Sequence, residues 1–251
     1  MCIAFLAVDR HPTYPLIVLA NRDEALARPT RPLHRWSGEP AIYAGQDLVA
    51  GGSWMGVSER GRLALLTNYR EPPEPRQEGA SRGDLVRRYL AEEDADFSAF
   101  LKARGGEYAG FNLIFGPWNK LTHYSNRGSA GFSRLEPGLH GLSNALLDTP
   151  WPKVERGKAE LALLLEQDEP DVGALFALLA DETPASVGEL PSTGVSPEIE
   201  LRLSSIRIPS LGSSYGSVSA SVLLVDREGR MKLWERQYDS GSEVRLSPER
   251  P

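Results

Sequence analysis

Residues 1–24, MCIAFLAVDRHPTYPLIVLANRDE, hold the stretch that decides the fold. Two apolar runs, CIAFLAV (2–8) and LIVLA (16–20), flank DRHPTYP, a segment rich in turn formers. Short runs with branched and aromatic members across such a loop read as a β-hairpin. Neither run alternates apolar with polar residues, so the sheet that holds them is covered on both faces. Four polar or charged residues, Asn21, Arg22, Asp23 and Glu24, follow the second run directly. When the hairpin closes, they fold back near Cys2, the only cysteine in the chain.

The same signals recur along the chain. SWMGVSERGRLALLTNY (53–69) reads as a second hairpin, with Gly61 able to take the positive φ of its turn. EPPEPRQEGA (71–80) reads as a surface loop. Ser81 can cap a helix through DLVRRYLAEE, whose Leu85, Val86, Tyr89 and Leu90 form a helical stripe. Asp96 to Arg104 reads as another short helix. Strands return at FNLIFG, KLTHYSN and HGLSNA, and helices at Lys153–Gln167 and DVGALFALLADE. Thr183 to Pro197 reads as a long loop, extending towards residue 204. DREG turns a third hairpin inside SVSASVLLVDREGRMKLWERQYD. Runs of strands and runs of helices predict an α+β fold in a single domain over 1–251. Two stacked antiparallel sheets with helices outside both account for the apolar strands, although composition alone admits other layered arrangements.

The 251 residues are 41% hydrophobic and 25% charged, enough to bury a full core. The net charge of −6 and the scattered basic residues argue against nucleic acid as a partner. The densest basic cluster, Arg82, Arg87 and Arg88, alternates with acids and reads as a solvated helix face. One cysteine excludes an internal disulfide framework. The four histidines, His11, His34, His123 and His140, lack ligand spacing, so no metal site is expected. There is no basic leader and no apolar run long enough for a membrane span, so a cytoplasmic protein without integral membrane association is expected.

Cys2 has the chemistry of an N-terminal nucleophile. Removal of Met1 would leave a thiol and a free α-amine on one residue. An α-amine has a pKa near ~8, so it can serve as general base for its own side chain. Arg22 can favour the thiolate or hold a substrate carboxylate, and Asp23 can hold the terminal ammonium. Asn68 and Asn144 each end an apolar strand, where a side-chain amide can face a developing oxyanion. Each residue also has a plain structural reading. Cys2 can be a small buried hydrophobe, ANRDE a charged turn, and each asparagine an Asx turn.

Taken together, MCIAFLAVDR, VLANRDE with RP four residues on, GGSWMGVSERGRLALLTNYRE, SRGDLV, YAGFNLIFG, YSNRG, GLSNALLDTPWPKV and VLLVDREGRMKLWERQY resemble the NRDE proteins. That family includes the transport and Golgi organisation protein 2 proteins of eukaryotes. The resemblance implies the N-terminal nucleophile hydrolase superfamily and its four-layer αββα fold. A more distant similarity is to choloylglycine hydrolases and penicillin V acylases. It implies Cys2 as nucleophile, Asp23 holding its amine, Arg22 beside the thiol, and Asn68 and Asn144 in the oxyanion hole. The spacing around ANRDE leaves Glu24 as an alternative to Asp23. Asn21, Glu24 and Arg127 of YSNRG are assigned to the substrate. Relatives usually carry a segment like YGTRSST before the last hairpin. Here YGSVSAS puts Val218 in place of the arginine, with Arg207 as a substitute.

Two functions follow. One is a cysteine hydrolase or acyl-transfer enzyme acting on an amide or thioester of a small molecule, with no cofactor required. The other is a non-catalytic carrier on the same fold for haem or acyl-CoA-like ligands. The resemblance implies both, through the family's links to haem handling and to acyl-CoA and lipid metabolism. As a haem ligand set the chain offers Cys2, His34, His123 and His140.

Overall fold

The computed structural model describes residues 2–71, 80–91, 96–128, 131–210, 212 and 214–248. The reading of 72–79 as a loop, and Met1 itself, lie outside the described residues. Six strands come first: β1 (Cys2–Val8), β2 (Leu16–Ala25), β3 (Thr30–Arg35), β4 (Ile42–Asp47), β5 (Met55–Ser58) and β6 (Arg62–Asn68). Two helices follow, α1 (Gly83–Ala91) and α2 (Phe97–Arg104). Then come β7 (Phe111–Pro117), β8 (Thr122–Ser125), β9 (Phe132–Arg134) and β10 (Gly138–Leu142). The last part holds α3 (Pro152–Leu164), α4 (Val172–Leu179), α5 (Pro197–Arg202), β11 (Tyr215–Val225), β12 (Met231–Gln237) and β13 (Glu243–Leu246).

The strands form two antiparallel sheets. One has six strands in the order β10-β1-β2-β11-β12-β13, the other seven from β3 to β9 in sequence order. Strand alternation sorts the side chains into three cores. Ala4, Leu6, Val18, Leu223 and Leu233 meet Tyr43, Val57, Leu63, Leu65 and Ile114 between the sheets. Ile3, Phe5, Ile17, Leu19 and Val222 pack outward against Val154, Leu161, Leu175 and Phe176 of α3 and α4. Ala64, Leu66, Phe111, Leu113 and Phe115 pack outward against Leu85, Val86, Leu90 and Leu101 of α1 and α2. The expected four-layer αββα sandwich is the observed one, and its doubly covered strands explain the missing alternation. Among the described residues, no helix is long and apolar enough to cross a membrane.

The first hairpin pairs Cys2 with Arg22 and Val8 with Leu16. The second turns at Gly61, which has φ +76° and donates its N–H to the Ser58 carbonyl at 2.9 Å. Several elements depart from the sequence reading. β3, β4, β9 and β13 were not anticipated; TRPLHR of β3 and EVRL of β13 are polar edge segments with no apolar run to mark them. The loop after Thr183 ends earlier than expected: Pro197 to Arg202 is helical, with Ser196 accepting from the Ile199 N–H.

Close layering puts demands on single residues. Gly157 lies in α3 where a Cβ would overlap the ring of fully buried Phe5. Gly157→Ala should therefore lose about 1–3 kcal/mol of stability despite alanine's better helix propensity, measured by denaturant unfolding. Glu235 is 2% exposed, on the side of β12 that faces the inter-sheet core, and its carboxylate accepts from the Leu33 N–H and the Gln237 amide at 2.8 Å each. Burial pushes its carboxyl up to about 7. Between 4.5 and about 7 the folded state holds a proton that the unfolded state has released, so stability falls as pH rises over that interval and levels off above it. Thermal melts from pH 4 to 9 should show wild type losing stability relative to Glu235→Gln across this range, with the difference vanishing at the acid end.

Candidate active site

Several strand ends meet at one end of the sandwich. β1 begins there at Cys2, β2 passes through Arg22, Asp23 and Glu24, β6 ends at Asn68 and β11 begins at Tyr215. Together with the start of α1 and with Val195, Ile199 and Leu203 from around α5, they line a cleft of about 1050 Å³. The Thr183–Pro197 segment thus runs to the cleft wall, and α5 continues it.

Cys2 is half-buried. Burial pushes its thiol up and the Asp23 charge adds to this, while the Asp23 backbone N–H and the Arg22 charge pull it down. Arg22 is 4% exposed and rigidly held. Its guanidinium donates to Thr30 Oγ1 at 2.7 Å and lies 4.2 Å from the centroid of the Trp54 ring. Asp23 is 1% exposed, and its Oδ1 accepts from the Ser217 hydroxyl at 2.5 Å. Burial pushes the Asp23 carboxyl up, while the charges of Lys153 and Arg70 and the Ser217 hydroxyl oppose it. Lys153 was not singled out in the sequence. It is 2% exposed, its ammonium donates to the Leu203 carbonyl at 2.8 Å, and burial lowers its pKa to about 8. Burial likewise pushes the Tyr215 hydroxyl well up, so it stays protonated.

The two asparagines are linked to one another. Asn68 lines the cleft, and its side chain has no hydrogen-bond partner among the described residues. Asn144 is 1% exposed and is not among the residues that line the cleft. Its amide donates to the Asn68 carbonyl at 2.9 Å, and its backbone carbonyl accepts from the Arg70 N–H at 2.7 Å. The Asn144 amide thus ties the end of β6 in place with one of its two N–H donors. Arg70 in turn binds Glu200 of α5 at 2.6 Å, with both side chains at most 5% exposed. Neither Arg70 nor Glu200 was foreseen, because this pair spans 130 positions of sequence.

Other expectations change as well. Asn21 does not reach the cleft. It points to the helix side of β2, where its amide donates to the Leu179 and Ile206 carbonyls and its Oδ1 accepts from the Tyr238 hydroxyl. Glu24 is the more exposed carboxylate at the cleft, 3.9 Å from Arg22, which leaves Asp23 as the buried one beside Cys2. Arg127 lines the cleft and is paired with Glu71 at 2.7 Å. Val218 sits at a β-bulge and does not line the cleft. Arg207 does not substitute for the missing arginine, since it pairs with Glu182 at 3.1 Å and stacks 4.3 Å from the Tyr238 ring. Arg82 is not on a solvated helix face. It precedes α1 and lines the cleft.

His34, His123 and His140 all lie away from the cleft. His34 stacks on Trp36, His140 binds Asp148 at 2.8 Å, and burial lowers His123 to about 4. They do not form a ligand set with Cys2.

The comparisons with known proteins agree with this architecture. The chain is 36% identical over 261 residues to the transport and Golgi organization protein 2 homolog of Bos taurus, covering 94% of this chain and 92% of that protein. The Homo sapiens homolog is 34% identical with the same coverage. Among solved structures, a mutant conjugated bile acid hydrolase from Clostridium perfringens superposes with a TM-score of 0.53 at 8% identity, covering 98% of this chain and 92% of that one. At that identity the likeness shows the fold alone, which is that of the N-terminal nucleophile hydrolases. A family model described as Transport and Golgi organisation 2 matches residues 1–240. The chain belongs to the Transport and Golgi organisation 2 family.

Proposed function

We propose that this chain is a cysteine N-terminal nucleophile hydrolase or acyl-transfer enzyme acting on an amide or thioester of a small molecule. The observation that carries the reading is the meeting of Cys2, Arg22, Asp23 and an uncommitted Asn68 amide in one cleft. The fold shared with a bile acid hydrolase supports it.

The chemistry follows from removal of Met1. The α-amine of Cys2 takes the thiol proton, and the Asp23 carboxylate accepts a hydrogen bond from the ammonium that results. The thiolate attacks the carbonyl carbon, forming a C–S bond and placing negative charge on the carbonyl oxygen. Asn68 donates to that oxygen, and Asn144 holds the backbone of Asn68 in place. The ammonium returns its proton to the leaving nitrogen or sulfur as that bond breaks. Water, deprotonated by the same amine, then releases the acid and regenerates the thiol. Arg22 keeps a fixed positive charge beside the sulfur. Because it is already held by Thr30 and Trp54, little reorganisation accompanies the step.

The test has two parts. Protein from a bacterial host should show an intact mass one methionine short. Against a panel of N-acyl amino acids and acyl thioesters, Cys2→Ala should lose roughly a thousandfold or more of the turnover with its melting temperature unchanged. A retained Met1, or equal turnover by Cys2→Ala, would overturn the reading. Saturable ligand uptake without turnover would then favour the carrier function for haem or acyl-CoA-like molecules. Asp23→Asn should lower kcat and leave KM within a few-fold, because Asp23 acts on the amine and not on the bound substrate.

A further inference from the structure

Five arginines, at positions 22, 28, 70, 82 and 127, line the Cys2 cleft. Four are matched by carboxylates: Arg22 by Glu24 at 3.9 Å, Arg28 by Asp47 at 2.7 Å, Arg70 by Glu200 at 2.6 Å and Arg127 by Glu71 at 2.7 Å. Arg82 has no carboxylate partner among the described residues. Its guanidinium makes one hydrogen bond, to the Gly110 carbonyl at 3.0 Å. It is nonetheless partly desolvated, and burial lowers its pKa. It shares the cleft wall with Cys2, Glu24, Glu71 and Tyr215.

The guanidinium donors of Arg82 that Gly110 does not take have no protein acceptor among the described residues and open into the cleft, where an oxyanion of a bound substrate can accept from them. Its planar fork suits the two oxygens of a carboxylate or phosphate. Leu66, Trp54, Tyr108 and Ile199 supply apolar wall elsewhere in the cleft. We infer that the Cys2 cleft takes an anionic substrate whose carboxylate or phosphate is held by Arg82 while its uncharged acyl part lies against the apolar wall. This rests on the proposal that Cys2 is the reacting group. It places anion recognition at Arg82, and not at position 218 or Arg207.

The single cysteine allows a test that needs no knowledge of the substrate. Iodoacetate and iodoacetamide both alkylate a thiolate, the sulfur displacing iodide, and they differ in one carboxylate. In the wild-type protein, alkylation of Cys2 by iodoacetate should saturate with concentration and outpace alkylation by iodoacetamide. In Arg82→Gln the iodoacetate-to-iodoacetamide rate ratio should fall at least tenfold. The iodoacetamide rate at a pH where the thiol is fully ionised should stay within twofold, which separates anion binding from an effect on thiol ionisation. In wild type, benzoate or phenyl phosphate should protect Cys2 from iodoacetamide and benzamide should not. Whichever anion protects better identifies carboxylate or phosphate as the group recognised. This arm stands even where the variant fails to fold. A rate ratio equal to that of free cysteine, equal protection by benzamide, or an unchanged ratio in Arg82→Gln would overturn the inference. Anion selectivity without turnover of any amide or thioester would leave the subsite standing and remove the hydrolase reading. Turnover of neutral amides without anion selectivity would do the reverse.

Discussion

The antiparallel pairing of β1 with β2 sets the position of everything at the site. Cys2 lies opposite Arg22 in a continuous register that runs to Val8 opposite Leu16. β11 pairs along the other side of β2, bringing Ser217 opposite Asp23. A slip of one residue would reverse the faces of the whole strand, moving Ile3 and Phe5 from the helix side into the space between the sheets. Because both faces are filled by close-packed apolar side chains, such a slip is excluded. The chemistry at the strand ends is therefore positioned by the hydrophobic packing along their length.

Polar groups are buried at this end of the sandwich, and they are organised as a linked set. Asn144 ties the end of β6 to the segment after β10, Arg70 joins that segment to α5 through Glu200, and Lys153 brings the start of α3 to the Leu203 carbonyl. Glu200 also accepts from the Thr193 hydroxyl, fixing the segment before α5. Removing one partner of a buried ion pair costs about 3–5 kcal/mol, since the other charge is left desolvated. That scale explains why the long segment after Thr183 has a defined course. Arg82 differs from the other four cleft arginines in having no carboxylate partner among the described residues.

Much of this was legible in the chain. The apolar runs and the Gly61 and DREG turns placed the hairpins, and the doubly apolar strands implied two covered sheets. The motifs MCIAFLAVDR and VLANRDE led to Cys2, Arg22 and Asp23, and all three line the cleft. Strands such as β3 and β13 were hidden, because their identity comes from the neighbour they pair with and not from their own residues. Asn21 misled for a related reason. It stands in the same polar cluster as Arg22, yet strand alternation sends it to the opposite face, among the Leu179 and Ile206 carbonyls.

The sequence by itself determined the α+β class, the hairpin that opens the chain, and the chemical types gathered at its end. Periodicity, turn residues and residue chemistry are local properties, and they survive in one dimension. The tertiary structure decided which groups meet. It tied Asn144 to the backbone of Asn68, made Asp23 and not Glu24 the buried carboxylate, paired cleft-lining Arg70 with distant Glu200, and turned Arg82 from a surface charge into a cleft residue. Burial and pairing depend on distances between segments far apart in the chain, and those distances exist only once the sheets have stacked.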